Sequence, residues 1–347
     1  ITLDLSSIAL SAGAFSLCAA VYLLKLTKLK PLARTAAFIG LIGYTMAMLC
    51  LLLDIGRPDR FWHGFVYWNT HSVLWEVTMC VGLYFGVLVM ENLSTFASLS
   101  WLNNKFPKLS NWMKKSHDYA PYLAIAGLLL SMLHQSSLGA TYGVLIGRPI
   151  WYRPGLAVIF FISAIAGGIS LTILATLITS YFHKFTFVNQ RMLDPILRFL
   201  AWLLLGYLYF RFWDMFAMSY TQQPGREEAL AVLTKGLLSV NLWIGEILLG
   251  IVVPIFILFN PKTRQNRFWL ILSLAFVAGG VLAYRWDTNL VGLLVVQLPL
   301  AEPTPLVYAS YFPSIIEYIS AAGIIAFGVF VFTLGVKNLQ ITEMVNQ

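Results

Sequence analysis

Charge is scarce in this sequence. Only 11% of its 347 residues are Asp, Glu, Lys or Arg, 59% are apolar, and the mean hydropathy is +0.76. One water-soluble core cannot take up that much apolar surface, so a protein that crosses a membrane many times is expected. Cysteine is scarcer still. Cys18, Cys50 and Cys80 stand singly inside apolar runs, without CxxC or CxxCH. That spacing excludes a cysteine-held iron–sulfur cluster or an attached c-type haem and leaves three small buried hydrophobes. There is no P-loop, no Ser/His/acid spacing for hydrolysis and no metal-ligand spacing. Of the five histidines, His134 alone lies near hydrophobic depth; His63, His71 and His117 fall in loops or at span ends, and His183 ends a span. A b-type haem usually takes two histidines within spans, so bound haem is the weaker reading.

What the sequence has is apolar runs. About 20 such residues cross a hydrocarbon core as a helix, and nine windows qualify: 3–24, 35–53, 73–92, 119–137, 156–182, 194–218, 233–259, 267–284 and 312–335. An all-α integral membrane protein is predicted. Leu290–Leu300 is apolar but too short to cross, and reads as an interfacial or re-entrant piece. The sequence enters its first apolar run almost at Ile1, with neither an initiator methionine nor a basic leader, so the true N-terminus is expected further upstream.

The formal charge of +8 does not indicate nucleic acid, because the lysines lie in short loops between spans. Loops after the first, third, fifth and seventh spans, with the C-terminal tail, hold Lys25, Lys28, Lys30, Arg34, Lys105, Lys108, Lys114, Lys115, Lys184, Arg191, Lys262, Arg264, Arg267 and Lys337. The other side holds Arg57, Arg60, Arg148, Arg153, Arg226, Lys235 and Arg285. The lysine-rich end is therefore expected to be cytoplasmic, in a cytoplasmic (inner) membrane, with Ile1 on the outer side.

Ionisable residues in or beside the spans gather at the lysine-poor end: Asp4, Asp54, Arg57, Arg60, His63, Glu76, His134, Arg211, Asp214, Arg285, Asp287 and Glu317. A charge at the bilayer centre costs roughly 3 kcal/mol on insertion scales, so such residues pair or face a polar cavity. Arg211 and Asp214 are three apart and share a helix face, as a structural ion pair would. Glu246 falls near the middle of its window with no partner in its own helix. Either a proton relay or a hydrogen bond to a neighbouring helix would account for it. Small residues Ala164, Gly167, Gly168 and Ser170 let helix backbones approach closely. Trp62, Tyr67, Trp68, Trp75, Trp151 and Tyr152 form an aromatic belt beside the lysine-poor interface. A planar ligand entering from the bilayer would use the same residues.

Three stretches carry a resemblance: "LLLDIGRPDRFWHGFVYWNTHSVLWEVTMCVGLYFGVLVMENL" (51–93), "HQSSLGATYG" (134–143) and "PIWYRPGLAVIFFISAIAGGISL" (149–171). They resemble the NrfD/polysulfide reductase membrane-subunit family, in its ten-helix branch of uptake-hydrogenase, sulfite-reduction and alternative complex III subunits. "EILLGIVVP", "YRWDTNLVG" and "YFPSIIEYISAAG" extend it more weakly. The resemblance implies two four-helix bundles plus extra helices, here 1–182 and 183–347, and a tenth helix ahead of "TLDL" (2–5). It also implies a subunit without metal that exchanges electrons between menaquinone, or another quinone, and a periplasmic ferredoxin-like iron–sulfur subunit. A multihaem cytochrome c is a possible further partner, and the "GRPDRFWH" form leans to sulfur metabolism. Carried over residue by residue, the quinone site would hold Asp4, His63, Glu76 and His134, in a loop organised by Asp54, Arg57 and Arg60. Asp54 would pair with one of those arginines. Glu246, Arg211, Asp214, Glu317 and Arg285 would be candidates for a proton path. A transporter-like proton module and a passive membrane anchor are the competing functions.

Overall fold

The structure is a computed structural model that describes residues 1–24, 26, 29–183, 190–298, 305–339 and 341. Lys25, Lys28 and Lys184 of the lysine-rich set lie outside the described residues. Helices run in the order α1 Thr2–Leu23, α2 Lys30–Asp54, α3 His63–Val66, α4 Val73–Phe96, α5 Ser100–Lys105, α6 Pro107–Lys115, α7 Ala120–Gly143, α8 Gly155–His183, α9 Gln190–Tyr220 and α10 Arg226–Thr234. A π-helix Asn241–Val252 follows, continued by α11 Val253–Phe259; then come α12 Pro261–Gln265, α13 Arg267–Leu294 and α14 Ile315–Asn338. Among the described residues nine helices are long and apolar enough to cross a membrane, as the sequence predicts.

Local chemistry sets the ends. Ser72 accepts from the Trp75 N–H to cap α4, Asn266 caps α13, and Ser314 with Glu317 forms a capping box on α14, each supplying partners for backbone N–H groups that a helix leaves orphaned. Three boundaries differ from the sequence expectation. The seventh span starts at Asn241 rather than 233, because Lys235 and Gly236 end the separate helix α10. The eighth does not stop at 284 but runs to Leu294, carrying Arg285 and Asp287 inside it. Leu290–Leu300 is accordingly no re-entrant piece: its first half ends α13, and Val295–Gln297 is a strand, β1, paired antiparallel with β2, Leu306–Tyr308. Pro299 and Leu300 lie outside the described residues.

The most buried span is α1, which packs along α2, α7 and α8 and touches α13. Small residues make this possible. A Cβ on Gly13 would strike the Ala164 carbonyl, and one on Gly168 would strike the backbone of Gly13 and Ala14. A second close crossing joins Gly250 of the π-helix to Gly280 of α13. In a bilayer, where lipid is as apolar as leucine, such backbone approach is what holds helices together. By contrast α14 packs on α2 and leaves most of its surface exposed.

Because the atoms facing Gly168 are backbone and cannot swing aside, Gly168→Val should destabilise the bundle by about 1–3 kcal/mol. Gly323→Val, where nothing lies within 4 Å, should not. Thermal unfolding of the two variants in detergent checks this, and equal midpoints would refute the crossing.

Candidate functional site

Two polar clusters lie within the membrane-spanning bundle, both toward its lysine-poor end. Tyr44, His134, Arg211 and Arg285 each sit about two and a half turns, or roughly 13 Å, inside that end of their helices.

The first cluster joins α1, α2, α4 and α7. The Tyr44 hydroxyl is hydrogen-bonded to Nδ1 of His134. The Tyr44 ring packs edge-on against Tyr84 at 4.6 Å and His134 at 5.6 Å. Asp4 is within electrostatic range of Tyr44. His134 is 0% exposed and Asp4 5%. Yet Nε2 of His134, Oδ1 of Asp4, Nε2 of Gln135 and the Tyr84 hydroxyl have no hydrogen-bond partner among the described residues. Buried polar atoms without partners are costly, roughly 1–3 kcal/mol each, so four of them on neighbouring helices leave bonding capacity unused at this end of the bundle.

Arg285 adjoins Gln135. Its Nη2 donates to the Phe160 carbonyl at 2.9 Å, to Ser163 Oγ at 3.3 Å and to Gln135 Oε1 at 3.4 Å. Its guanidinium lies 3.6 Å over the Phe160 ring. Nε and Nη1 are without partners, and no carboxylate lies at ion-pair distance among the described residues.

The second cluster is an ion-pair network centred on Arg211. Arg211 reaches Glu246 with two parallel bonds, Nε to Oε1 at 2.9 Å and Nη2 to Oε2 at 3.1 Å, the bidentate geometry that favours arginine at such sites. Its Nη1 meets Asp214 at 3.2 Å, and Asp214 meets Arg153 at 2.8 Å. Tyr207 donates to Glu246 Oε1 at 2.8 Å. Two cations and two carboxylates alternate, so the network is neutral. Glu246 stands in the π-helix, whose Asn241 donates to Asp287 Oδ1 at 2.8 Å and to the Ala283 carbonyl at 3.1 Å. The Tyr284 ring separates the clusters, with Arg211 5.1 Å and Arg285 5.5 Å from its centre.

Of the four residues expected at the quinone site, Asp4 and His134 converge on Tyr44. His63 and Glu76 do not join them through any hydrogen bond among the described residues. His63 begins α3, half-buried, with its ring 4.2 Å from Trp62 and 5.2 Å from Tyr67. Glu76 is half-buried in the first turn of α4. Trp75 Nε1 donates to the Gly64 carbonyl at 2.9 Å and ties α3 to α4.

In the loop itself the expected pairing of Asp54 is incorrect. Arg57 bonds Asp59 at 3.1 and 3.2 Å, and Arg60 lies 4.0 Å from it. The adjacent Arg57 holds the exposed Asp59 carboxyl below the usual carboxylate range. Gly56 turns the backbone at φ +66°, a conformation open to glycine. Glu317 caps α14 and accepts the Tyr311 hydroxyl at 2.6 Å, which pushes that phenol up to about 12.

The family model for "Polysulphide reductase, NrfD" matches residues 7–297. The chain belongs to the NrfD family. Among its relatives, the integral membrane subunit of menaquinone reductase from Nitratidesulfovibrio vulgaris is 31% identical over 98% of this chain and 82% of its own length. An Hdr-like menaquinol oxidoreductase integral membrane subunit from Archaeoglobus fulgidus is 26% identical, covering 95% and 81%. The C subunit of polysulfide reductase from Wolinella succinogenes is 24% identical, covering 80% and 88%. The two clusters of this NrfD protein also contain residues that sequence reasoning passes over. Tyr44, Tyr84, Tyr207 and Tyr284 read as ordinary apolar-run aromatics, and Gln135 stands in "HQSS" with no role that spacing would give it. Arg153 reads only as a loop charge. Glu91, buried near the lysine-rich end of α4 with one oxygen unpartnered, breaks the one-sided pattern of polar residues.

Removing one partner of a buried ion pair strands the other, at about 3–5 kcal/mol. Arg211→Met and Glu246→Met should each lose that much, and the double variant should regain most of it. A double-mutant cycle on unfolding in detergent reads the coupling, and additive losses would contradict it.

Proposed function

We propose that this NrfD protein is the quinone-reactive membrane subunit of an oxidoreductase complex, with the quinone head group against Asp4, Tyr44 and His134. The observation that carries the reading is the group of buried, unpartnered polar atoms on α1 and α7, Asp4 Oδ1, His134 Nε2 and Gln135 Nε2. The relatives named for menaquinone and menaquinol chemistry support the substrate class.

Interconversion of quinone and quinol moves two electrons and two protons. The proton work suits these residues: a carboxyl at Asp4 and an imidazole at His134 can each hold or release one, and Tyr44 fixes the imidazole through Nδ1 so that Nε2 faces the ring oxygen. Arg285, beside Gln135, supplies fixed positive charge toward a developing oxyanion. The electrons pass to or from a redox partner at the lysine-poor end. In this reading an iron–sulfur subunit covers the surface of 54–68, whose Phe61, Trp62, Phe65, Tyr67 and Trp68 are exposed, and His63 and Glu76 lie between that subunit and the site. The lysine-rich end is cytoplasmic in this reading, after the positive-inside bias.

Proton translocation is the second reading, favoured by the line of side chains from His134 through Arg285 and Tyr284 to Arg211 and Glu246. Glu246 already engages both oxygens, so relay duty requires it to leave Arg211.

His134→Ala and Asp4→Asn should each lower quinone-linked electron transfer by about a hundredfold or more while the complex still assembles; full turnover in both would sink the site. In proteoliposomes, Glu246→Gln should abolish proton movement but spare electron transfer if the relay exists. Parallel loss or retention of the two argues for a structural role alone.

A further inference from the structure

At the lysine-rich end the spans α4 and α7 are joined by the short helices α5 and α6 and a turn, Ser116–Tyr119. A helix turns about 100° per residue, and on that basis α6 divides into four stripes. Ser110 and Met113 are buried, and the Ser110 hydroxyl donates to the Ala97 carbonyl, just past the end of α4, at 3.2 Å, so this stripe faces the bundle. Lys108 and Lys115 stand on the opposite side and are exposed. The two flanks between them differ. One is apolar, with Leu109 46% and Trp112 62% exposed; the other is polar, with Asn111 and Lys114 exposed.

The neighbouring residues repeat this composition. Trp101 and Phe106 are exposed, and Lys105 lies 5.6 Å and 5.8 Å from the centres of their rings. Tyr119 and Tyr122, where α7 begins, are exposed as well. Tryptophan and tyrosine interleaved with lysine mark the boundary between acyl chains and water. Between residues 97 and 119 the one carboxylate is Asp118, exposed in the turn after α6, and Glu91 lies buried in α4. Among the described residues neither is within ion-pair distance of Lys105, Lys108 or Lys115. The outward side of this stretch is therefore cationic.

We propose that α5 and α6 lie along the bilayer surface and hold anionic phospholipid there, with Leu109 and Trp112 in the upper acyl layer and Lys105, Lys108 and Lys115 at the lipid phosphates. With one side of α6 fixed against the bundle, its apolar flank takes the acyl side and its polar flank meets water. The lysines, turned away from the bundle, reach the headgroups with their apolar stems along the membrane. An anionic surface attracts each of them. An acidic protein would match the lysines but leave the apolar flank, about 80° further round the helix, uncovered.

The purified complex in nanodiscs of phosphatidylglycerol and phosphatidylcholine, labelled at one introduced cysteine at a time, tests this; Cys18, Cys50 and Cys80 are buried. Spin labels on Leu109→Cys and Trp112→Cys should collide with oxygen in preference to a water-soluble nickel chelate, and labels on Asn111→Cys and Lys114→Cys should show the reverse. All four side chains are exposed, so each variant should fold. A bimane at Leu109→Cys, quenched by traces of either lipid carrying the same doxyl chain, reads the lipid class. Phosphatidylglycerol should be enriched there on the order of fivefold or more, and Lys105→Gln with Lys108→Gln and Lys115→Gln should bring the two lipids to parity. Equal quenching in the unaltered complex, a preference that survives the triple variant, nickel access at Leu109 and Trp112, or shielding of both positions from both reagents, as a covering protein would give, would each overturn the proposal.

Discussion

An arginine cannot stand alone in hydrocarbon, and the structure is organised around that constraint. Arg211 meets it with Asp214, one turn along its own helix, and with Glu246 and Tyr284 from later spans, while Arg153 balances Asp214. Such a network adds little stability over an apolar core of the same volume. Its effect is on arrangement. Of the ways in which α9 could lie against the π-helix, those that leave Glu246 facing lipid or apolar side chains are penalised by several kcal/mol, and the one that brings it to Arg211 is not.

Arg285 meets the same constraint incompletely, and the difference between the two arginines separates scaffold from site. Around Glu246 both carboxylate oxygens and the whole Arg211 fork are engaged, and what is left over there is the Tyr284 hydroxyl and Asp287 Oδ2 at its edge. Where Nε and Nη1 of Arg285, Nε2 of Gln135 and Nε2 of His134 are all left over, capacity remains on the face where α1, α2, α7 and α13 converge. The NrfD protein thus holds an inert charge cluster and a receptive one at the same depth, divided by a single tyrosine ring.

Much of this is legible in the residues and some is not, for physical reasons. The nine spans can be read because length and apolarity alone decide membrane crossing. So can the clustering of Asp4, His134, Arg211 and Arg285 near one end, since charge cost depends on depth. Span ends mislead wherever a charge belongs to the helix: "YRWD" looks like the start of a loop, but Arg285 and Asp287 are buried against neighbouring helices and α13 continues past them. The partner of Glu246 lies 35 residues away on another helix, a separation no periodicity records, and a π-helix displaces its face from the 3.6-residue repeat. Tyr44 stays hidden because tyrosine in an apolar run is usually an interfacial anchor; only the fold shows its hydroxyl turned inward to His134.

The position of these charges along the sequence bears on how the molecule is put together. Arg211 and Glu246 lie on successive spans, so their bond closes within one helical hairpin, each charge meeting its opposite one crossing away. Arg285 is different. Its acceptors, Gln135, Phe160 and Ser163, belong to α7 and α8, laid down well before α13 emerges. The receptive cluster therefore draws on residues from Asp4 to Arg285, nearly the whole run of spans, and is complete only with α13 in place.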